Sequence, residues 1–303
     1  MKRRHLTLAA LAAASLLTLS ACGDSDSGGG AAPAASSTVA EDAAAVKLLP
    51  KDVADAGTLV IGTDATYAPN EYKDRDGKPI GWEIDLADAM AAKLGLTTDY
   101  KVATFDNILP AITGGKYDLG VSSFFDTAVR EKQVDMVGYY QAGVQWAVPA
   151  GSDVSPENGC GIKLAVQNGT VEALEDGPAR SDECVKAGEK PIELLGYDSQ
   201  VDVTAAVTLG RADAMVADSP VTQYAVAKSK GKLDTAGDVY QTVYYAIPMV
   251  KGSELVPAVK AALESLQADG TYDDILKKWG VEGGAIDQIT LNQATADAEA
   301  GGE

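Results

Sequence analysis

The sequence holds one histidine in 303 residues, at position 5. His5 lies in a segment that reads as a cleavable leader, so the processed chain has no imidazole. A Ser-His-Asp triad, an imidazole general base and a histidine metal site are thereby excluded, and most hydrolases and zinc enzymes with them. Basic residues are few, 25 against 44 acidic ones. Removing residues 1–21 takes three basic residues and no acidic ones, leaving a net charge of −22. Such a surface does not bind nucleic acid by phosphate neutralisation, and acidity alone names no ligand.

The apolar run Leu6–Leu19 is broken only by Thr7, Ser15 and Thr18 and follows Lys2, Arg3 and Arg4. It is too short to span a bilayer, and it closes on small residues in Leu19-Ser20-Ala21-Cys22, the pattern of a signal peptide over residues 1–21. The junction resembles a bacterial lipobox, which implies cleavage before Cys22 and acylation of its thiol and new amino group. The alternative is an ordinary signal peptide with an incidental cysteine. Export by the general or the twin-arginine route stays open. Residues 22–45 are Gly, Ala, Ser, Asp and Pro with little to bury, which predicts a disordered tether to a membrane surface outside the cytoplasm. With Cys22 lipidated, Cys160 and Cys184 form an even pair in an oxidising compartment and read as a disulfide, two buried free thiols being the alternative.

From about Val46, strand and helix patterns alternate, as in a parallel sheet covered by helices. Thr58–Gly62, Asp99–Ala103 and Tyr117–Val121 read as strands. Glu83–Leu94 reads as a helix burying Leu86, Ala87, Met90, Ala91 and Leu94, and Asn107–Thr113 as a shorter one. A turn-strand unit at Gly115–Ser123 is echoed at Gly210–Ser219, each ending in small polar residues, which predicts two lobes sharing a cleft. Gly-basic-x-Asp is also a common helix-to-strand turn. Gly143–Pro149 and Gln241–Val250 lack helical period and are candidate hinge strands. Helices are expected at Glu254–Ala268 and Thr271–Trp279, with Thr271 as N-cap. The expected division is 46–148 for lobe 1, 149–243 for lobe 2 and 244–287 for the return to lobe 1. A frayed tail is expected over 288–303.

Six segments appear in order: Gly62-Thr-Asp-Ala-Thr-Tyr-Ala-Pro69, Gly81-Trp-Glu-Ile-Asp-Leu-Ala87, Phe105-Asp-Asn-Ile-Leu-Pro-Ala111, Gly115-Lys-Tyr-Asp118, Ala217-Asp-Ser-Pro220 and Ala268–Trp279. Together they resemble the family-3 extracellular solute-binding proteins, the polar amino-acid receptors of bacterial ABC importers. The resemblance runs from about Thr58 to Gly280. It implies a two-lobed α/β periplasmic-binding-protein fold, each lobe a mostly parallel sheet flanked by helices, joined by two hinge strands and closing on its ligand.

The resemblance also implies site residues. Arg130 matches the arginine that clamps the ligand α-carboxylate, for which a planar guanidinium fork is suited. Asp218 matches the second-lobe acid that takes the α-ammonium. Tyr67 and Phe105 match aromatics that sandwich the ligand side chain, and Asp64 an acid near its end. Ser122, Ser123 and the Gly169-Thr170 turn match donors around the carboxylate. Three positions depart from the pattern. Asn70 stands where an aromatic is usual, Phe125 would keep its contact only through its backbone N–H, and Gln167 occupies a side-chain-selecting position. Asp64 favours a cationic side chain, while Gln167 and the aromatics fit a neutral polar one equally well.

The expected function is ligand capture without cofactor, metal or turnover, by a monomer that delivers an amino acid to an ABC permease beside its lipid anchor. Two other readings are a dehydratase-like enzyme using Asp64 and Asp218 as acid and base, and a sensory binding protein.

Overall fold

The computed structural model describes residues 39–300, so the expected leader, Cys22 and most of the expected tether lie outside the described residues. Asp42 caps helix α1 (Ala43–Val46) by accepting from the backbone N–H groups of Ala44 and Ala45. The Ser265 hydroxyl donates to its second carboxylate oxygen at 2.7 Å, and Ala45 is buried. The tether expected to reach Ala45 therefore ends earlier. A capping aspartate followed by small residues starts a helix once tertiary partners exist to satisfy it.

Helix α2 (Lys51–Ala56) leads into β1 (Thr58–Thr63), and β2 (Thr66–Tyr67), β3 (Glu71–Lys73) and β4 (Pro79–Ile80) form a small antiparallel sheet. Helix α3 (Trp82–Lys93) then buries Ile84, Leu86, Ala87, Met90 and Ala91, and Leu94 just past its end is buried too, so the face predicted from periodicity packs inward. There follow β5 (Thr97–Val102), α4 (Phe105–Thr113), β6 (Leu119–Gly120), β7 (Phe124–Phe125) and α5 (Ala128–Glu131). Strands β5 and β6 flank β1 in parallel, which makes the first lobe's sheet.

Strand β8 (Val134–Pro149) leaves this lobe, and the second is built from β9 (Lys163–Gln167), α6 (Gly177–Lys186), β10 (Glu193–Tyr197), α7 (Gln200–Thr208), β11 (Ala214–Asp218) and α8 (Ser219–Lys228). Strands β10 and β11 flank β9 in parallel. Cys160 and Cys184 are joined, fastening the segment before β9 to α6. Strand β12 (Leu233–Val250) returns along β8, antiparallel from Leu233 opposite Pro149 to Val250 opposite Val134. The candidate hinge segments are thus the inner parts of two longer strands shared by both lobes.

The crossing point also falls earlier than expected. Val144–Ala147 of β8 already pairs with Asp218–Met215 of β11, so residues assigned to lobe 1 up to 148 pair with a second-lobe strand from Val144 onward, within one sheet that runs through β8 and β12. The β8–β12 register slips between Ala236 and Val243, which loosens the ladder where the lobes meet. Gly143 sits at that place. A Cβ there would lie 2.5 Å from Val239 Cγ1 and 2.7 Å from the Tyr240 carbonyl, so only glycine allows the strands to approach.

After the hinge, α9 (Val256–Ala268) buries Val259, Ala262, Leu263 and Leu266 in one core with Leu59 and Ile61 of β1 and Met90 and Leu94. Helix α10 (Thr271–Trp279) carries Asp273 and Asp274 in its first turn and Lys277 and Lys278 in its last, charges that complement the helix dipole. Its N-cap is Gly270 rather than Thr271.

The expected frayed tail is ordered through residue 300. Strand β13 (Thr290–Leu291) pairs with Gly138 and Val137 of β8, and α11 (Gln293–Ala300) follows. Asn292 exchanges hydrogen bonds with Met136, at 2.9 Å in each direction. Asp126 accepts from the Gln293 N–H at 2.9 Å and Glu131 from the Thr295 N–H at 3.1 Å. Two carboxylates of the first lobe thus satisfy the orphan donors of α11, an effect that composition could not reveal.

Candidate functional site: a closed cavity between the lobes

Asp64 follows β1, Ser122 and Ser123 follow β6, Gln167 ends β9 and Asp218 ends β11. These strands are the parallel members of the two sheets, and their carboxyl ends face one another, the usual location for ligands in open α/β sheets. Tyr67 comes from β2, Phe105 from the start of α4, Phe125 from β7, Arg130 from α5 and Thr170 from the turn after β9. All ten line one cavity. Glu71, Val171 and Glu172 line it as well and were not expected.

The lobes are closed on each other. Gln167 Nε2 donates to Asp64 Oδ2 at 3.1 Å, and Arg130 Nη2 donates to the Gly169 carbonyl at 3.2 Å. The Asp218 N–H donates to the Tyr67 hydroxyl at 3.1 Å, and the Gln200 N–H to Thr66 Oγ1 at 3.2 Å. Gly169, at φ +81°, allows this approach, because a Cβ would meet Asp106 at 2.8 Å.

Arg130 is 9 % exposed and holds no salt bridge among the described residues. Its Nη1 donates to the Phe125 carbonyl at 2.8 Å, and its guanidinium carbon lies 5.6 Å from the Phe105 ring centroid and 5.4 Å from that of Phe124. Burial draws its pKa down, countered by the charges of Glu172 and Asp218. Phe125 therefore contributes its carbonyl here, where its N–H was expected to act.

Asp218 accepts from the Tyr245 hydroxyl at 2.6 Å. Its carboxyl is pushed well above the usual carboxylate range, first by burial and then by the adjacent charge of Glu172. Asp64 is fully engaged, its Oδ1 accepting from Thr66 Oγ1 at 2.5 Å and its Oδ2 from the Phe105 N–H at 3.0 Å as well as from Gln167. Burial raises its pKa despite these donors.

The serines behave differently from expectation. Ser122 Oγ donates to Glu71 at 2.9 Å, and Ser123 Oγ to Glu83 at 2.9 Å, while the Ser123 N–H donates to Glu83 at 3.0 Å. These donors, expected around the ligand carboxylate, are directed to two buried carboxylates of the same lobe. Burial and the charge of Glu83 push Glu71 well above its ordinary value, and burial raises Glu83. Asn70 belongs to this network. It accepts from Trp82 Nε1 at 2.7 Å and donates to Ser123 Oγ at 2.8 Å, contacts that an aromatic side chain could not make. Thr170 donates to the Gln167 carbonyl at 2.9 Å and accepts from the Ala173 N–H at 3.2 Å, so its hydroxyl shapes the turn.

Two parallel-sheet lobes, a pair of shared hinge strands and a polar cavity at the strand ends define a hinge-closing solute-binding protein. The family model of the bacterial extracellular solute-binding proteins, family 3, matches residues 59–282, and the chain belongs to that family. It is 37% identical over 248 residues to the arginine-binding protein ArgT of Corynebacterium glutamicum, covering 81% of this chain and 82% of that one. Among solved structures, an ancestral arginine-binding protein bound to arginine superposes with a TM-score of 0.68 at 35% identity, over 74% of this chain and 98% of the other. An ancestral amino acid-binding protein that is a precursor of cyclohexadienyl dehydratase gives 0.66 at 33% identity, over 77% and 99%.

Proposed function

We propose that the protein captures a cationic amino acid, with arginine the first candidate, by lobe closure and delivers it to the permease of an ABC importer. One observation carries the cationic preference: among the described residues, the acidic Asp64, Glu71, Glu172 and Asp218 share the cavity with a single basic side chain, Arg130. A ligand of net positive charge offsets that excess, whereas a neutral zwitterion leaves it buried between the lobes. The relationship to arginine-binding proteins supports the same reading.

In this reading the ligand α-carboxylate takes the Nη2 donor that Arg130 now gives to Gly169, and the α-ammonium goes to Asp218. The side chain lies between Tyr67 and Phe105 with its charged end toward Asp64. Because Arg130 and Asp218 stand on opposite lobes, a bound zwitterion favours the closed form. Cys22 holds the body beside the permease through its lipid, on a tether that ends before Asp42.

Calorimetry of the purified protein with arginine, lysine, histidine, glutamine and glutamate tests this directly. Heat with the cationic members, absent in Arg130→Ala and Asp218→Ala, is the expected result. Binding of glutamine or glutamate alone would overturn the cationic reading, and binding of none would overturn the receptor reading. Product formation from a bound amino acid or related acid would favour the enzymatic alternative. Mass spectrometry of the membrane-associated protein and loss of anchoring in Cys22→Ser test the lipid.

A further inference from the structure

Glu172 opens a one-turn π-helix, Glu172–Asp176, directly after the Thr170 turn. It is 1 % exposed and lines the cavity, and among the described residues its Oε1 has no hydrogen-bond partner. Asp218, likewise buried, lines the same cavity, and the charge of Glu172 helps to push its carboxyl up. Two buried carboxylates sharing one cavity do not both stay charged without a large cost unless a cation stands between them. Arg130 is the cation near both, but among the described residues it forms no salt bridge with either, and two of its donors are directed to the Phe125 and Gly169 carbonyls. The other polar groups near the pair are the Tyr67 and Tyr245 hydroxyls and the acidic Glu71, with Tyr139 further off. None is a second cation.

We propose that Asp218 and Glu172 hold one proton between them in the ligand-free protein, and that the ligand's ammonium displaces this proton and is then held by both carboxylates. This rests on the reading of the cavity as an amino-acid site. The step balances simply. The ligand enters with its ammonium already charged, the carboxyl O–H bond breaks with its electron pair staying on oxygen, and the proton passes to the buffer. The pair goes from one negative charge to two, facing one positive charge. Glu172 thereby becomes part of the ammonium subsite, and capture is coupled to pH. Affinity rises with pH while the pair still carries its proton, by up to about tenfold per unit, and levels off above that range.

Two measurements test this. Calorimetry of arginine binding in buffers of different ionisation enthalpy should report release of close to one proton per ligand in the wild type and almost none in Glu172→Gln. Binding without proton release, or release undiminished in Glu172→Gln, would overturn the proposal. Infrared difference spectroscopy of the ligand-free protein at neutral pH needs no ligand. A protonated-carboxyl band present in the wild type and missing in Glu172→Gln supports the shared proton, and its absence from the difference spectrum refutes it. Any signal from Glu71 and Glu83 cancels between the two proteins. If no amino acid binds, the receptor reading fails while the infrared result still decides the state of the pair.

Discussion

Replacing Asp126 with asparagine should stabilise the protein above neutral pH and do little or the opposite at pH 5. Asp126 is 3 % exposed, and its Oδ1 has no partner among the described residues. Burial, then its contact with the Glu131 carboxyl, pushes its pKa up from 3.8 to about 7. For a carboxyl raised in the folded state, folding favours the protonated form, so the contribution is present at low pH and is lost as pH rises from about 4 through about 7. At about 1.4 kcal/mol per pKa unit, ionising Asp126 inside the fold costs up to about 4 kcal/mol at pH 8. An amide removes that cost, can donate to Glu131 and still accepts from the Gln293 N–H. It forgoes a charge-assisted hydrogen bond worth about 2 kcal/mol. The net gain is about 2 kcal/mol at pH 8, or roughly 4–8 °C in melting temperature for a body of this size. At pH 5 the wild-type group is protonated and the gain disappears. Thermal or urea unfolding at both pH values measures it, and an equal effect of Asp126→Asn at pH 5 and pH 8 would refute the reasoning.

Arg130→Ala should leave the fold intact and weaken amino-acid binding by about 3 kcal/mol, on the order of 100-fold, since it strips a buried carboxylate of its partner; titration calorimetry beside circular dichroism checks both halves. Gly143→Ala should destabilise by about 1–3 kcal/mol and alter closure, because the new methyl group meets Val239 and Tyr240 where the hinge strands touch; unfolding and ligand-induced scattering changes report it. Removing the disulfide with Cys160→Ser should cost roughly 3 kcal/mol, given a sequence separation of 24 between the cysteines, and denaturant titration of oxidised and reduced protein sets the comparison.

Much of the site is readable because its residues stand where strand patterns end. Asp64, Ser122, Ser123, Gln167 and Asp218 each follow a short apolar run, and that local signal survives without coordinates. Glu71, Glu83 and Glu172 leave no such trace. A glutamate in the first turn of a helix, as Glu83 is, normally stays in solvent and complements the helix dipole. Glu71 sits beside a turn-rich segment where exposure is the ordinary outcome. Only the packing of Tyr139, Ser123 and Asn70 around Glu83, and of Ser122 against Glu71, shows that these acids are buried. The tail is a similar case, since an Ala- and Asp-rich stretch carries no pattern that distinguishes a free end from a helix capped by Asp126 and Glu131.

The sequence by itself determined the alternation of strands and helices, the family and the strand-end groups that meet in the cavity. All of these are short-range: they follow from the side chains of neighbouring residues and the periods of helix and strand. The tertiary structure alone decided where the chain crosses between lobes, which serine hydroxyls are already committed, and that Glu172 shares a buried cavity with Asp218. Those facts depend on groups far apart in the chain sharing one desolvated space, where the charge of one carboxyl determines whether the next can keep its own.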